Sequence, residues 1–381
     1  MSAYDVIVIG LGGMGSATAY QLAARGLKVL GLEQYDLAHD QGSSHGESRM
    51  LRQAYFEGDI FVPLLLRAYD LWAQTQRDAD RELMLQTGGL YVGPEASHVV
   101  SGSLRAAQVF DLPHDELTAA EIARRFPMMR PDPHYIGVYE ERGGVVFPER
   151  SVEAFCALAA RHGAELHFGE RVLEWEADSG GDGVMVDTAQ DTYEAGRLVI
   201  TAGPWANKVM AATHLPIQAE RVVMHWFEPQ VSVDYFAPGR FPVHVWQLED
   251  GLDFYGFPAL AGSRGGVKIA LHNDVRDACD PDTVNRVVYA SEIEAMRRHV
   301  RRFFPDMDGR HLTAKTCMYT SSPDDLFIID RHPDYGQVIY ATGFSGHGFK
   351  FAPVIGEILA DLAAEGSSRH EISAFGIGRF G

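Results

Sequence analysis

The sequence predicts an α/β chain of two interleaved domains, one a Rossmann-like, dinucleotide-binding unit on a parallel sheet, the other built on an antiparallel sheet. Three observations carry this. The chain opens with a strand, a glycine-rich turn, a helix and a second strand, in "YDVIVIGLGGMGSATAYQLAARGLKVLGLEQYD". Strand-to-glycine junctions return in the middle, at Thr201-Ala202-Gly203, and near the end, in "QVIYATGFSGHGFKFAPVIGEILADLAAEG". Between them lie alternating, aromatic-rich runs, "RVVMHWFEP", "VHVWQL", "LDFYGFPAL" and "GVKIALHND", which read as antiparallel strands. The length, 381 residues, is more than one ordinary core holds. Interleaving makes each domain discontinuous: 1–80, 148–218 and 318–381 form the first, 81–147 and 219–317 the second. A cleft is expected where they meet, and ligand sites favour such clefts.

Taken in order, Asp5 to Ile9 is a β-branched run suited to a buried parallel strand. Gly10, Gly12 and Gly15 follow as G-x-G-x-x-G. Gly12 lets the backbone approach a pyrophosphate, and Gly15 lets helix and strand pack closely. Met14 to Arg25 has helical spacing, and its N-terminus offers free N–H groups to phosphates. Leu27 to Leu32 is the second strand. Glu33 ends it, placed to accept ribose hydroxyls and to repel a 2′-phosphate, which disfavours NADP. This unit alone does not separate FAD from NAD. Phe61 to Gln76 and Ser151 to His162 read as amphipathic helices, with Cys156 on the apolar face of the second. "AELHFGERVLEWEAD" supplies further strands, and Gly262 to Gly266 reads as a hairpin loop.

Composition excludes several classes. There are 52 acidic and 33 basic residues, a formal net charge of -19, so the surface repels nucleic acid and anionic membranes. Three cysteines form neither a disulfide framework nor a CxxC pair, which fits a reducing compartment and gives no structural metal site. No signal peptide and no apolar run of about 20 residues is present, so a cytoplasmic protein is expected.

Two groups of residues carry possible chemistry. "GSSHGESRMLRQAY" holds His45, Arg49 and Arg52; it is either a solvated basic loop or an anion site, where the Arg52 fork would suit a carboxylate. Lys268, between Val267 and Ile269, would face away from both in a strand, either toward solvent or into a site. Cys317 lacks a second thiolate for a metal and an adjacent base for nucleophilic catalysis, so from the residues alone packing is the default.

These segments together resemble the monomeric sarcosine oxidase and N-methyltryptophan oxidase family over nearly the whole chain. The resemblance rests on "VIVIGLGGMG", "GSSHGESRMLRQAY", "FYGFP", "KIALH", "CMYT", "DDLFIID" and "GFSGHGFKFAP", in that order. It implies FAD, a fold of glucose-oxidase or D-amino-acid-oxidase type, and oxidation of N-methyl amino acids by O2 to the amino acid, formaldehyde and H2O2. By resemblance, Arg52 and Lys350 hold the substrate carboxylate. Lys268 activates oxygen, and Arg49 and His45 place positive potential beside the flavin. His272, Tyr255 and Tyr319 line the substrate pocket, where His272 could tune amine protonation. Val172 and Gly346 join the glycine motif and Glu33 in holding FAD, and Cys317 carries the flavin as a thioether. The resemblance also implies a monomer. The sequence departs from the family at Ser44, where a second histidine is usual, and at Glu47–Ser48, where aspartate–threonine is usual. Trp246 either lines the pocket or packs. Sarcosine leads as substrate, with N-methyltryptophan or a cyclic imino acid such as pipecolate or proline next. A flavin dehydrogenase with another acceptor and a tRNA-modifying flavoprotein are the alternatives from other classes; the charge speaks against RNA.

Overall fold

The structure is a computed structural model and describes residues 4–181, 183–210, 213–260, 266–272 and 277–381. Most of the expected Gly262–Gly266 loop lies outside these residues.

The first strand, Tyr4–Ile9, is completely flanked in an eight-stranded sheet: it pairs in parallel with Val29–Glu33 on one side and with Thr192–Ile200 on the other. Glu165–Phe168 extends the sheet in parallel beyond Val29–Glu33, and Val338–Thr342 lies parallel to the far end of Thr192–Ile200. Strands buried on both faces need continuous apolar runs, which "VIVI", "LVI" and "VIYA" supply. Helices Gly13–Ala24, Val62–Asp78, Pro148–Arg161 and Ala352–Glu365 cover one face with a large apolar core. The helix expected from Ser151 begins earlier, at Pro148, because proline at the first helical position loses no hydrogen bond there.

The second sheet has nine strands. Its centre runs Gln218–Phe227, Val267–Leu271, Asp253–Gly256, Val243–Gln247, each pair antiparallel as the alternating runs predict. His311–Ser321 pairs along the whole outer edge of Gln218–Phe227. One pairing departs from the antiparallel expectation: Val243–Gln247 lies parallel to Gly89–Gly93.

The period of two then sorts the side chains. One face carries Phe227, Trp246, Phe254, Val267 and Ile269 into a core closed by helix Ala290–Phe303. Trp246 is therefore a packing residue, fully buried among Phe254, Phe303 and Phe304. The opposite face carries Lys268, Tyr255, Met224, Val245, Cys317 and Tyr319 toward the segment 43–57 and the loop 346–350.

Candidate active site

Two cavities meet between these layers. The larger, about 1250 Å³, is lined by the glycine turn, Glu33, Val172, Thr201–Trp205, Thr320 and Gly346, and reaches Tyr335. The smaller, about 70 Å³, is lined by Arg49, Arg52, Tyr255, His272, Cys317, Tyr319, Gly346 and Lys350, together with Phe56, Glu57, Val245 and Phe257. Arg49, Tyr319, Gly346 and Phe349 border both, so they form a shared wall.

The glycine turn is built for a close ligand. Gly10 has φ +85°, and a Cβ on Gly15 would stand 1.7 Å from the Gly10 carbonyl oxygen. At Gly12 a Cβ would meet only Ser44 Oγ, at 3.5 Å, so the protein itself leaves that space open. Helix Gly13–Ala24 has no side-chain cap on Gly12. Ser44 instead accepts a hydrogen bond from the Gly13 N–H at 3.0 Å, which gives the departure at Ser44 a role at the helix entrance. Glu33 accepts from the Leu11 N–H at 2.8 Å and the Tyr35 N–H at 3.1 Å, with His39 Nε2 at 3.4 Å. Its carboxylate braces the turn and still borders the large cavity.

The cationic segment is not a solvated loop. His45 is 1% exposed and Arg52 3%. Arg52 stacks on Tyr55 and Phe56, 4.1 Å from each ring centroid, and pairs with Glu57 through Nη2. Among the described residues, Arg52 Nη1 and Glu57 Oε2 have no partner. Burial pushes the Glu57 carboxyl up, but Arg52, with His347 and Lys350, outweighs it and holds the group at about 2. Lys350 Nζ donates to the His347 carbonyl at 2.6 Å and to Tyr55 Oη at 3.4 Å, which leaves one of its three donors free. Burial first, then Arg52, pushes the Lys350 ammonium well below the lysine range.

Around the chamber, Tyr319 Oη lies 3.4 Å from Tyr255 Oη and 3.3 Å from His272 Nδ1. Burial pushes His272 down to about 4, so its imidazole is neutral at neutral pH. Cys317 is 2% exposed, with its sulfur 3.6 Å from Arg49 Nη2 and near the Gly42 and Ser43 carbonyls. Arg49 also donates to the Ser43 and Ser48 carbonyls. Gly346 has φ +78°, and a Cβ there would lie 2.6 Å from the Tyr319 ring.

Lys268 and His45 line neither cavity. Lys268 sits beneath the cationic segment, its Nζ donating to Gly46 O at 2.7 Å, Ser48 O at 2.8 Å and Ser48 Oγ at 3.1 Å. Both ring nitrogens of His45 lack partners among the described residues, and burial, with Arg49, pushes its imidazole down to about 2. Among the described residues no group of three or more His, Cys, Asp or Glu could hold a metal, and no helix is long and apolar enough to cross a membrane.

Residues 5–362 match the profile of the FAD dependent oxidoreductase family. The chain belongs to that family. The monomeric sarcosine oxidase of Streptomyces avermitilis is 48% identical over 373 residues, covering 98% of this chain and 96% of that protein. The N-methyl-L-tryptophan oxidase of Salmonella dublin is 34% identical, covering 99% of each. Among solved structures, NikD, an unusual amino acid oxidase essential for nikkomycin biosynthesis, superposes with a TM-score of 0.86 at 26% identity, covering 99% and 98%. The L-proline dehydrogenase from P. horikoshii shares the fold, with a TM-score of 0.84 at 21% identity over 100% and 98%. The cofactor of this FAD-dependent oxidoreductase fits the large cavity: the open space at Gly12, the helix N-terminus beside it and the acid at Glu33 are the donor and acceptor set an adenine dinucleotide needs.

The sequence reading missed Glu57, Tyr55, Phe56, Val245, Phe257 and His347. Glu57 and the two aromatics stand in "RQAYFEGD", directly after Arg52, and an acid so close to a candidate anion-binding arginine was an available signal.

Proposed function

We propose that this chain oxidises the secondary amine of a small N-methyl amino acid, sarcosine first, with molecular oxygen. One amine, one O2 and one water give the demethylated amino acid, formaldehyde and hydrogen peroxide. The observation that carries this reading is the small chamber: Arg52 and Lys350 outnumber Glu57 by one positive charge, Arg49 on the wall shared with the dinucleotide cavity adds another, and the chamber opens on that cavity. An incoming carboxylate neutralises one such charge, and Arg52 Nη1 with the free Lys350 donor would receive it. Bound FAD supplies the two-electron acceptor. His272, held neutral by burial at about 4, adds no positive charge to the chamber and can accept a hydrogen bond from the amine N–H; oxidation needs the unprotonated amine, which alone has the lone pair. Tyr255, Phe257 and Val245 exclude water and fix the approach of the N-methyl group. A chamber of about 70 Å³ favours sarcosine over a substrate bearing an indole.

Gly10, Gly12, Gly15, Glu33, Val172 and Gly346 are assigned to FAD binding, and Cys317 to a thioether with the 8α-methyl carbon. The new S–C bond replaces one S–H and one C–H bond, and the two electrons and two protons leave with O2 as hydrogen peroxide. The buried sulfur on the chamber wall, with a guanidinium beside it, supports this. The separate apolar clusters on one face of each sheet support the division into a flavin unit and a substrate unit. We further assign a monomer in the cytoplasm; three free cysteines and the acidic surface support that.

A peroxide-coupled screen over sarcosine, N-methyl-L-tryptophan, pipecolate and L-proline tests the reading. Sarcosine is expected to give the highest kcat/KM; turnover confined to N-methyltryptophan, or no peroxide in air, overturns it. Acid precipitation tests the thioether: the yellow colour should stay with the pellet in the wild type and enter the supernatant in Cys317→Ala.

A further inference from the structure

Lys268 has all three ammonium donors committed to one short turn, through Gly46 O, Ser48 O and Ser48 Oγ. That turn is not self-supporting. Gly46 has φ +97°, and Glu47, which is not glycine, has φ +70°, a conformation that costs about 1 kcal/mol unless the surroundings impose it. The imposing group is Glu149, on helix Pro148–Arg161. Its Oε1 accepts from the Gly46 N–H at 2.6 Å and the Glu47 N–H at 3.1 Å, and its Oε2 lies 3.2 Å from the same Glu47 nitrogen. A second hold comes from Trp226, whose Nε1 donates to Glu47 Oε2 at 3.2 Å.

We propose that Glu149 is the positioning residue for Lys268 in the oxygen half-reaction, acting through the Gly46–Ser48 turn. The inference rests on the reading that Lys268 serves that half-reaction. There O2 takes up two electrons and two protons to leave as hydrogen peroxide; the first electron makes an anion, which a buried ammonium stabilises. Glu149 fixes where the ammonium sits, and its charge opposes the loss of the ammonium's proton. The groups facing Lys268 are Arg49, Glu47 and His45 from the cationic segment, Glu149 from the helix and Cys317 from strand His311–Ser321. Burial and Arg49 push Lys268 well below the lysine range, and Glu149 pushes it back up. The charged form is therefore lost as pH rises, and earlier without the carboxylate.

The test separates the half-reactions by stopped flow in the FAD-loaded wild type, Glu149→Gln, Glu149→Asp and Lys268→Met, with sarcosine as reductant. In Glu149→Gln the alkaline fall of the reoxidation constant should move down by about one pH unit, which is about tenfold above that pH. Anaerobic reduction should stay within about twofold. Amide hydrogen exchange of a peptide spanning 43–50 should speed up, and Glu149→Asp should restore part of both effects. An unshifted reoxidation profile with unchanged exchange overturns the role of Glu149, as does an equal fall in both half-reactions. If Lys268→Met itself reoxidises normally, the underlying reading of Lys268 fails instead.

Discussion

Lys350 and Arg52 are both buried cations, but their surroundings differ, and so should the cost of losing them. Lys350 has a carbonyl and a phenol for partners and no paired acid, while Arg52 compensates Glu57. Lys350→Met removes a charge that burial already disfavours, so stability should hold or rise. One charge-assisted bond to the substrate is lost, about 1.5–3 kcal/mol, so KM should rise roughly 10- to 150-fold. Arg52→Met removes a comparable bond and also leaves the Glu57 carboxylate buried and unpaired, a cost of about 3–5 kcal/mol. Its Tm should fall clearly where that of Lys350→Met does not; equal Tm values would refute the ion-pair argument. At this scale the sequence displayed the cations and hid their counter-groups. "HGESRMLR" shows His45, Arg49 and Arg52 within eight positions, but Glu149 and Glu140 reach the segment from far along the chain. Glu140 accepts the Gln53 and Ala54 N–H groups at 3.0 to 3.1 Å, an arrangement that no local spacing announces.

The strand–turn–helix at the N-terminus is one element whose glycines do separable work. A Cβ at Gly15 collides with the Gly10 carbonyl, so Gly15→Ala should pry strand from helix, lower Tm with or without cofactor, and abolish the yellow colour. At Gly12 the nearest protein atom to a Cβ is 3.5 Å away, so Gly12→Ala should leave the cofactor-free Tm within about 1 °C, while a methyl group stands where a phosphate must approach. Flavin content on purification, set beside the Tm of the cofactor-free forms, distinguishes the two; a destabilised cofactor-free Gly12→Ala would contradict the assignment. This element was legible because its pattern is local: strand, glycine turn, helix and second strand follow one another directly in the chain. The alternating strands were legible for the same reason, and alternation correctly set Lys268 on the face opposite Val267 and Ile269. The parallel pairing of Val243–Gln247 with Gly89–Gly93 was not, because alternation fixes which face a side chain takes and leaves the neighbouring strand open.

Across the whole molecule, the two sheets and the segment between them bury imidazoles whose desolvation outweighs any nearby acid, and this contributes to how stability varies with pH. Burial pushes His45 down to about 2, His244 to about 3, and His225, His272 and His347 to about 4. Unfolding returns each to a value near 6.5, so below that pH the unfolded chain binds more protons and stability falls as pH falls. The stabilising effect is complete above about 6.5 and is lost progressively toward each folded value. Most carboxylates remain ionised down to about pH 5, so the interval from 6.5 to 5 isolates the histidines. His244 gives the cleanest single test, because it lines neither cavity and sits among Phe241, Phe254, Phe304 and Trp246 with Nδ1 unpartnered. In His244→Leu this pH-dependent contribution disappears while the apolar packing is largely kept. The stability difference between variant and wild type should therefore move in the variant's favour by about 2 kcal/mol between pH 7 and pH 5. Thermal or urea unfolding followed across that interval would show it as converging or crossing curves, whereas parallel curves would mean that His244 keeps an ordinary proton affinity inside the aromatic core.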